Sequence, residues 1–232
     1  MILTAHQPTY LPWAGLFHKI ILADKFVSFN KVQYVPKDWI NRNKIKGSNG
    51  EITLSVPVKH KNHFQSTIFD IEIDNTRDWK KKHWNSIFMS YKKSNYFLKY
   101  IDFFEDLYSK DWFKIHELNE YILKWVLSEL DINIEFLLAS DYNFEGKKNL
   151  LILDMCKKLK AEKFIFGEHG GNYADIKLFK ENRISIFFQK YKQHTYAQLY
   201  GRFIPNLSVI DILFNSGKSS KDVIMKGNIL KV

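Results

Sequence analysis

Apolar residues open the chain in a short run, Ile2 to Ala5, that reads as a strand, and a turn holding Pro8 and Pro12 closes it. From about Trp13 to Leu22 the rhythm changes: Leu16 with Ile20, and Phe17 with Ile21, recur at helical spacing. Lys25 to Phe29 then reads as a second strand, which gives the strand, helix, strand order of a parallel βαβ unit. The polar and aromatic stretch from Asn30 to Gly50 is predicted as loop. Ile52 to Val58 follows as a strand whose Pro57 marks its end or an edge, and Ile68 to Ile73 alternates apolar with acidic residues as a half-buried strand. Residues 77–130 contain neither Gly nor Pro, and their apolar positions repeat at three and four. With Thr76 as N-cap, this block predicts three helices broken near Lys93-Ser94-Asn95 and Ser109-Lys110-Asp111. Alternation then returns, with strands at Ile132–Ser140, Phe164–Phe166 and Ile184–Gln189 and helices at Lys147–Leu159, Ala174–Glu181 and Val209–Phe214. The expected fold is α/β, a mostly parallel central sheet flanked by helices. Residues 77–130 form a helical insertion within a single domain over 1–232, because no linker-like composition divides the chain.

Composition narrows the class. With 45% hydrophobic and 26% charged residues the chain is expected to be globular, not disordered. Cys156 stands alone, so no intramolecular disulfide forms, and a reducing compartment is the simplest reading. The longest apolar runs, such as Phe136–Ala139 and Leu150–Leu153, fall far short of the about 20 residues that span a bilayer. No signal-peptide pattern opens the sequence, and a cytoplasmic protein is expected. The net charge of +10 raises nucleic-acid binding as a possibility. Its lysines are scattered, with only short clusters at Lys80–Lys82 and Lys92-Lys93, and no arginine stripe joins them. Nucleic acid is therefore disfavoured, and an anionic small molecule is the expected partner.

Candidate chemistry gathers in four loops. The turn after the first strand holds His6 and Gln7, with Tyr10 beyond them, where loops of an open α/β sheet converge on ligands. His6 offers a general base or a phosphate contact and Gln7 a paired donor and acceptor, although both also suit plain bonding to the loop backbone. A second group is Gln33 and Tyr34 followed by Trp39, Asn41, Arg42 and Asn43: amides to read polar edges, rings to stack on a sugar or base, and a guanidinium fork for carboxylate or phosphate. The third, Gly167-Glu168-His169-Gly170-Gly171-Asn172-Tyr173, leaves a strand with three glycines that let backbone approach a ligand. It is neither a P-loop nor a dinucleotide fingerprint. The fourth carries Tyr191, His194, Tyr196 and Gln198, with Ser208 and Asp211 beyond as signals of a helix start. His60 and His63 lack partners at ligand spacing and Cys156 sits on an apolar helix face, so neither a metal nor another cofactor is expected.

Four separated segments together resemble the WbqC-like protein family: His6–Gly15, Asp24–Val27 with Val32-Gln33-Tyr34, Trp39–Asn43, and Phe203–Gly217. Tyr191, His194, Tyr196 and Gln198 fall where that family has a Tyr-His-Pro-x-Tyr-x-Gln pattern, with Thr195 in place of the proline. The resemblance implies a bacterial protein encoded among genes for O-antigen and other surface polysaccharides, working on nucleotide-linked or lipid-linked amino sugars. Transfer of an acyl or aminoacyl group to a sugar amine is the leading implication. His6 or His194 would take the amine proton, and Arg42 with the glycine turn would hold phosphate. Gln7, Tyr10, Gln33, Trp39, Asn43, Gly170, Gly171, Tyr173, Tyr196 and Gln198 would complete the substrate site. The first strand and its His-bearing turn also resemble the HUP-type start of nucleotidylyltransferases. Pro8 and Thr9, however, stand where that group's His-x-Gly-His turn has its Gly and second His. Nucleotidyl or adenylyl transfer stays as an alternative, as does a non-catalytic binding or scaffold role.

Overall fold

The computed structural model describes residues 1–59 and 66–227. In chain order the elements are β1 (Ile2–His6), α1 (Ala14–Ile21), β2 (Lys25–Ser28), β3 (Arg42–Gly47), β4 (Gly50–Ser55), α2 (Trp79–Tyr91), α3 (Phe97–Ser109) and α4 (Ile115–Glu129). The remainder are β5 (Glu135–Leu138), α5 (Asn149–Lys158), β6 (Lys163–Phe166), α6 (Ile176–Glu181), β7 (Ser185–Phe188), α7 (Val209–Ser216) and α8 (Ser220–Lys226). Five strands form one parallel sheet in the order β5-β2-β1-β6-β7. Thr4 of β1 is in register with Phe26 of β2 on one side and Ile165 of β6 on the other. The connections run outward from β1 through β2 to β5, then restart on its other side with β6 and β7. The gap between β1 and β6 is thus the point where the winding reverses.

Period-two alternation sends neighbouring strand residues to opposite layers. Leu3, Val27, Phe164 and Phe166 pack with Ile152, Met155, Cys156 and Phe179, the inward faces of α5 and α6. Phe26 faces the other way, into a larger core that holds Leu16, Phe17 and Ile20 of α1 and the apolar faces of α2, α3, α4 and α7. In that core Phe214 stacks on Tyr91 at 4.7 Å between ring centroids and meets Phe104 at 5.2 Å. Each such fully buried ring contributes about 1.5–3 kcal/mol. Cys156 is fully buried, and burial pushes its thiol up to about 12, so it is a packing residue.

The parallel sheet, its flanking helices and the three-helix block between β4 and β5 match the sequence expectation. Several local readings need correction. Residues 42–47 form a strand, not a loop: β3 pairs antiparallel with β4 through the turn Ser48-Asn49, and Gly50, opposite Gly47, takes φ 115. Its charged positions hid it, since Lys44 pairs with Glu51 across the hairpin at 2.5 Å. Residues 68–70 make a turn of 3-10 helix held by Thr67 and Asp70, with only isolated bridges at Ile73 and Glu72. Asp78, not Thr76, occupies the N-cap position of α2, because the Thr76 hydroxyl donates to Asp74. The terminal helix α8 has no counterpart in the sequence reading. No helix among the described residues is long and apolar enough to cross a membrane.

Candidate functional site

Two adjoining cavities open at the carboxyl ends of the central strands. The first, of about 540 Å³, is walled by residues that follow β1 (Gln7), β2 (Phe29), β6 (Gly167 to Gly170) and β7 (Gln189), with His6 and Lys19 at its floor. It lies at the reversal between β1 and β6, where open α/β sheets take ligands. The second, of about 390 Å³, is lined by Thr9, Asp38, Asn43 and Asn206. His6, Gln7, Trp13 and Trp39 belong to both, so the turn after β1 forms the partition between them.

That turn is held from several sides. The Asn119 amide donates to the carbonyls of Pro8 and Ile40 at 3.2 and 2.7 Å, and the Asn43 amide donates to those of Tyr10 and Leu11. Leu11 sits in the left-handed region at φ 45, a conformation that costs energy and needs this bracing. The Tyr10 ring is fully buried, its hydroxyl bonded to His83 and Tyr108 at 2.8 and 2.6 Å.

Charge in the first cavity is unusual. His6 Nδ1 lies 2.7 Å from the Gln7 carbonyl, which only accepts, so Nδ1 carries the proton and Nε2 keeps its lone pair. Burial, followed by the nearby Lys19 charge, lowers His6 to about 3, and the imidazole is neutral. Lys19 is 3% exposed and donates to the Ala5 carbonyl at 3.0 Å. Burial lowers its amine to about 7, and among the described residues no carboxylate pairs with it. Opposite, the buried Gln189 amide donates to the Gly15 carbonyl and His18 Nδ1. In the second cavity the Thr9 hydroxyl is buried without a partner, and the Trp39 ring stands 49% exposed as a wall.

The profile of the WbqC-like protein family matches residues 7–223. The chain belongs to the WbqC-like protein family. The uncharacterized protein Rv1507c of Mycobacterium tuberculosis is 32% identical over 218 residues, covering 93% of this chain and 94% of that protein. No solved structure matches the chain. The WbqC-like match covers the lining of both cavities from Gln7 through Lys19, Trp39 and the turn after β6 to Asn206, while Ala5 and His6 lie just ahead of it.

Of the residues singled out in the sequence, His6, Gln7, Trp39, Gly167, Glu168, His169, Gly170 and Tyr173 line the first cavity, and Asn43 joins His6, Gln7 and Trp39 in the second. Their reasons differ from those expected. Gly170 is needed because a side chain there would strike Phe166, whereas Gly167 and the exposed Gly171 have open space beside them. Asn43 spends its amide on the loop backbone, and Tyr10 is a core residue, not a ligand contact. Gln33 is exposed and bridges Thr67 through its backbone, and Arg42 opens β3 outside both cavities, its charge felt at Tyr34. His194 is exposed and lines neither cavity, so the expected meeting of His6, Arg42, Gly170 and His194 reduces to His6 and Gly170.

The WbqC-like pattern around Tyr196 and Gln198 builds a lock. Tyr196 and Gln198 donate to Asp211 Oδ2 at 2.6 and 2.9 Å, Tyr91 donates to Oδ1 at 2.9 Å, and Lys46 reaches Gln198 Oε1. Burial pushes the Asp211 carboxyl up while these hydrogen bonds pull it back. Ser208 caps α7 as its sequence signal predicted. His60 and His63 lie outside the described residues, and among those described no group of three His, Cys, Asp or Glu is placed to hold a metal. Lys19, Thr9 and Asp38 are among the site residues that the sequence did not single out. The one signal for Lys19 was its place, with His18, inside the mainly apolar segment Ala14-Gly15-Leu16-Phe17-His18-Lys19-Ile20-Ile21.

Proposed function

We propose that this WbqC-like chain is a cytoplasmic transferase of bacterial surface-polysaccharide biosynthesis that places an acyl or aminoacyl group on the amine of a nucleotide-linked amino sugar. The association of the family with O-antigen genes gives the biological setting. The observation that carries the reading is the pair of cavities meeting at His6, which fits a ligand with two chemically different ends. The switch-point cavity accommodates a nucleotide, and the second offers a hydroxylated ring the free Thr9 hydroxyl, the Asp38 carboxylate and the Trp39 face. His6 stands between them as a neutral imidazole with Nε2 available. As the sugar nitrogen bonds to the acyl carbon, Nε2 takes the nitrogen's proton, the bond from acyl carbon to its thioester or ester carrier breaks, and the proton passes to the departing sulfur or oxygen. An anion bound beside His6 raises its basicity for that step.

One observation favours nucleotidyl transfer as a second reading. Counted along the chain, the parallel sheet has the order 3-2-1-4-5 with a histidine directly at the end of its first strand. A thermal-shift panel of nucleotide sugars, followed by mass spectrometry of the sugar after incubation with acyl donors, tests both. Stabilisation by a nucleotide amino sugar and an acyl mass gain that His6→Ala abolishes support the first reading. Pyrophosphate release from a nucleoside triphosphate supports the second. Stabilisation by neither class refutes both.

A further inference from the structure

We infer that Lys19, with the open backbone at Gly167, forms a phosphate-binding subsite at the floor of the first cavity. The inference rests on reading that cavity as a ligand site and is independent of which group is transferred. Among the described residues Lys19 is the only Lys or Arg lining the cavity. Lys19 is only 3% exposed, yet only one of its three ammonium donors is accounted for, by the Ala5 carbonyl. An ammonium buried without a counter-charge is costly, and methionine would fill the same volume without that cost. A ligand anion supplies what the protein omits.

The surroundings choose the kind of anion. A side chain at Gly167 would meet no heavy atom within 4 Å, so space beside that backbone is open to a bulky group. The other titratable groups lining the cavity with Lys19 are His6 on β1, Glu168 and His169 on the turn after β6, and Tyr173 beyond that turn, whose hydroxyl burial holds protonated, with His18 next to Lys19 on α1. Glu168 and His169 are exposed at the rim, and neither neutralises the buried amine. A tetrahedral phosphate uses the two remaining ammonium donors at once, and its negative charge also favours protonation of His6 beside it. Arg42, which the sequence offered for this task, lines neither cavity.

The test uses inorganic pyrophosphate with the full chain in phosphate-free buffer at constant ionic strength. Pyrophosphate is expected to raise the melting temperature at about pH 6.5 and to do so less at about pH 9, where the amine has lost its proton. Lys19→Met is expected to weaken binding about ten- to hundredfold, the usual value of a charge-assisted hydrogen bond. A second measurement needs no variant. At neutral pH a small acylating reagent entering the cavity is expected to modify the Lys19 amine, and pyrophosphate is expected to protect it, read by peptide mass spectrometry. Equal stabilisation of wild type and Lys19→Met, or labelling at Lys19 that pyrophosphate leaves unchanged, overturns the subsite. Pyrophosphate binding without any acylated sugar sinks the transferase reading alone. A nucleotide sugar that binds Lys19→Met as tightly as wild type, and is acylated by it, sinks only the subsite.

Discussion

Lys19→Met should make the free protein more stable, and by an amount that depends on pH. The ordinary lysine amine titrates at 10.5 and this one at about 7. That difference corresponds to about 5 kcal/mol disfavouring the charged amine in the folded chain. Between the two values the unfolded chain holds more protons on this group than the native one, so native stability rises with pH across that window. The cost is fully present below about pH 7 and has vanished above about pH 10.5. Methionine removes it but also removes the bond to the Ala5 carbonyl, worth about 1 kcal/mol. Local relaxation and water entering the cavity reduce the remainder, so a gain of about 2–4 kcal/mol is expected at about pH 6.5. The gain should shrink steadily and reach zero near about pH 10. Urea denaturation of both proteins at several pH values in phosphate-free buffer measures it. A variant less stable than wild type at the acid end, or an offset that does not change with pH, would refute the account. A more stable protein that has lost its ligand is the expected signature of a site residue kept at the expense of the fold.

Other substitutions probe the site from different sides. Gly170→Ala drives a methyl group into Phe166 and should lose about 1–3 kcal/mol in urea denaturation, whereas Gly171→Ala, with open space beside it, should be near neutral. Asp211→Ala strips the acceptor from Tyr91, Tyr196 and Gln198 and should cost about 3–5 kcal/mol by the same measurement. His6 is neutral in the fold down to about 3 against an ordinary 6.5, so its contribution to stability is lost as pH falls through that interval. His6→Asn, which keeps a donor for the Gln7 carbonyl, should therefore unfold at lower pH than wild type in an acid titration followed by circular dichroism.

The parts legible in the sequence are those carried by local pattern. The β1–α1–β2 unit and the strands and helices from β5 to β7 followed from alternation and helical spacing. The strand, turn and helix order alone placed His6 and Gln7 at the ligand end of the sheet. Lys19 left only the weak signal of its apolar neighbours, because a lysine on a short helix ordinarily faces water. Here the sheet lies on one side of α1 and the C-terminal helix packs on another, so even His18 and Lys19 are buried. Thr9 escaped for a related reason: whether a hydroxyl finds a partner is decided by segments far away in the chain. Motif proximity misled in the opposite direction. Tyr196 and Gln198 sit beside a histidine in the sequence, yet their side chains fasten their segment to α7 through Asp211.

The pairing of β1 with β6 also sets the order in which the chain can assemble. The Thr4 hydroxyl donates to the Ile165 carbonyl across 161 residues, so the central strand gains its second neighbour only after most of the chain exists. Contacts of such separation slow folding, and an unpaired central strand is an exposed template for other chains. During synthesis the N-terminal part therefore passes through a long interval with an open sheet edge. Fragments that stop before Lys163 should aggregate when expressed alone. Supplying β6 and β7 in trans, as a separate chain from residue 160 onward, should rescue their solubility.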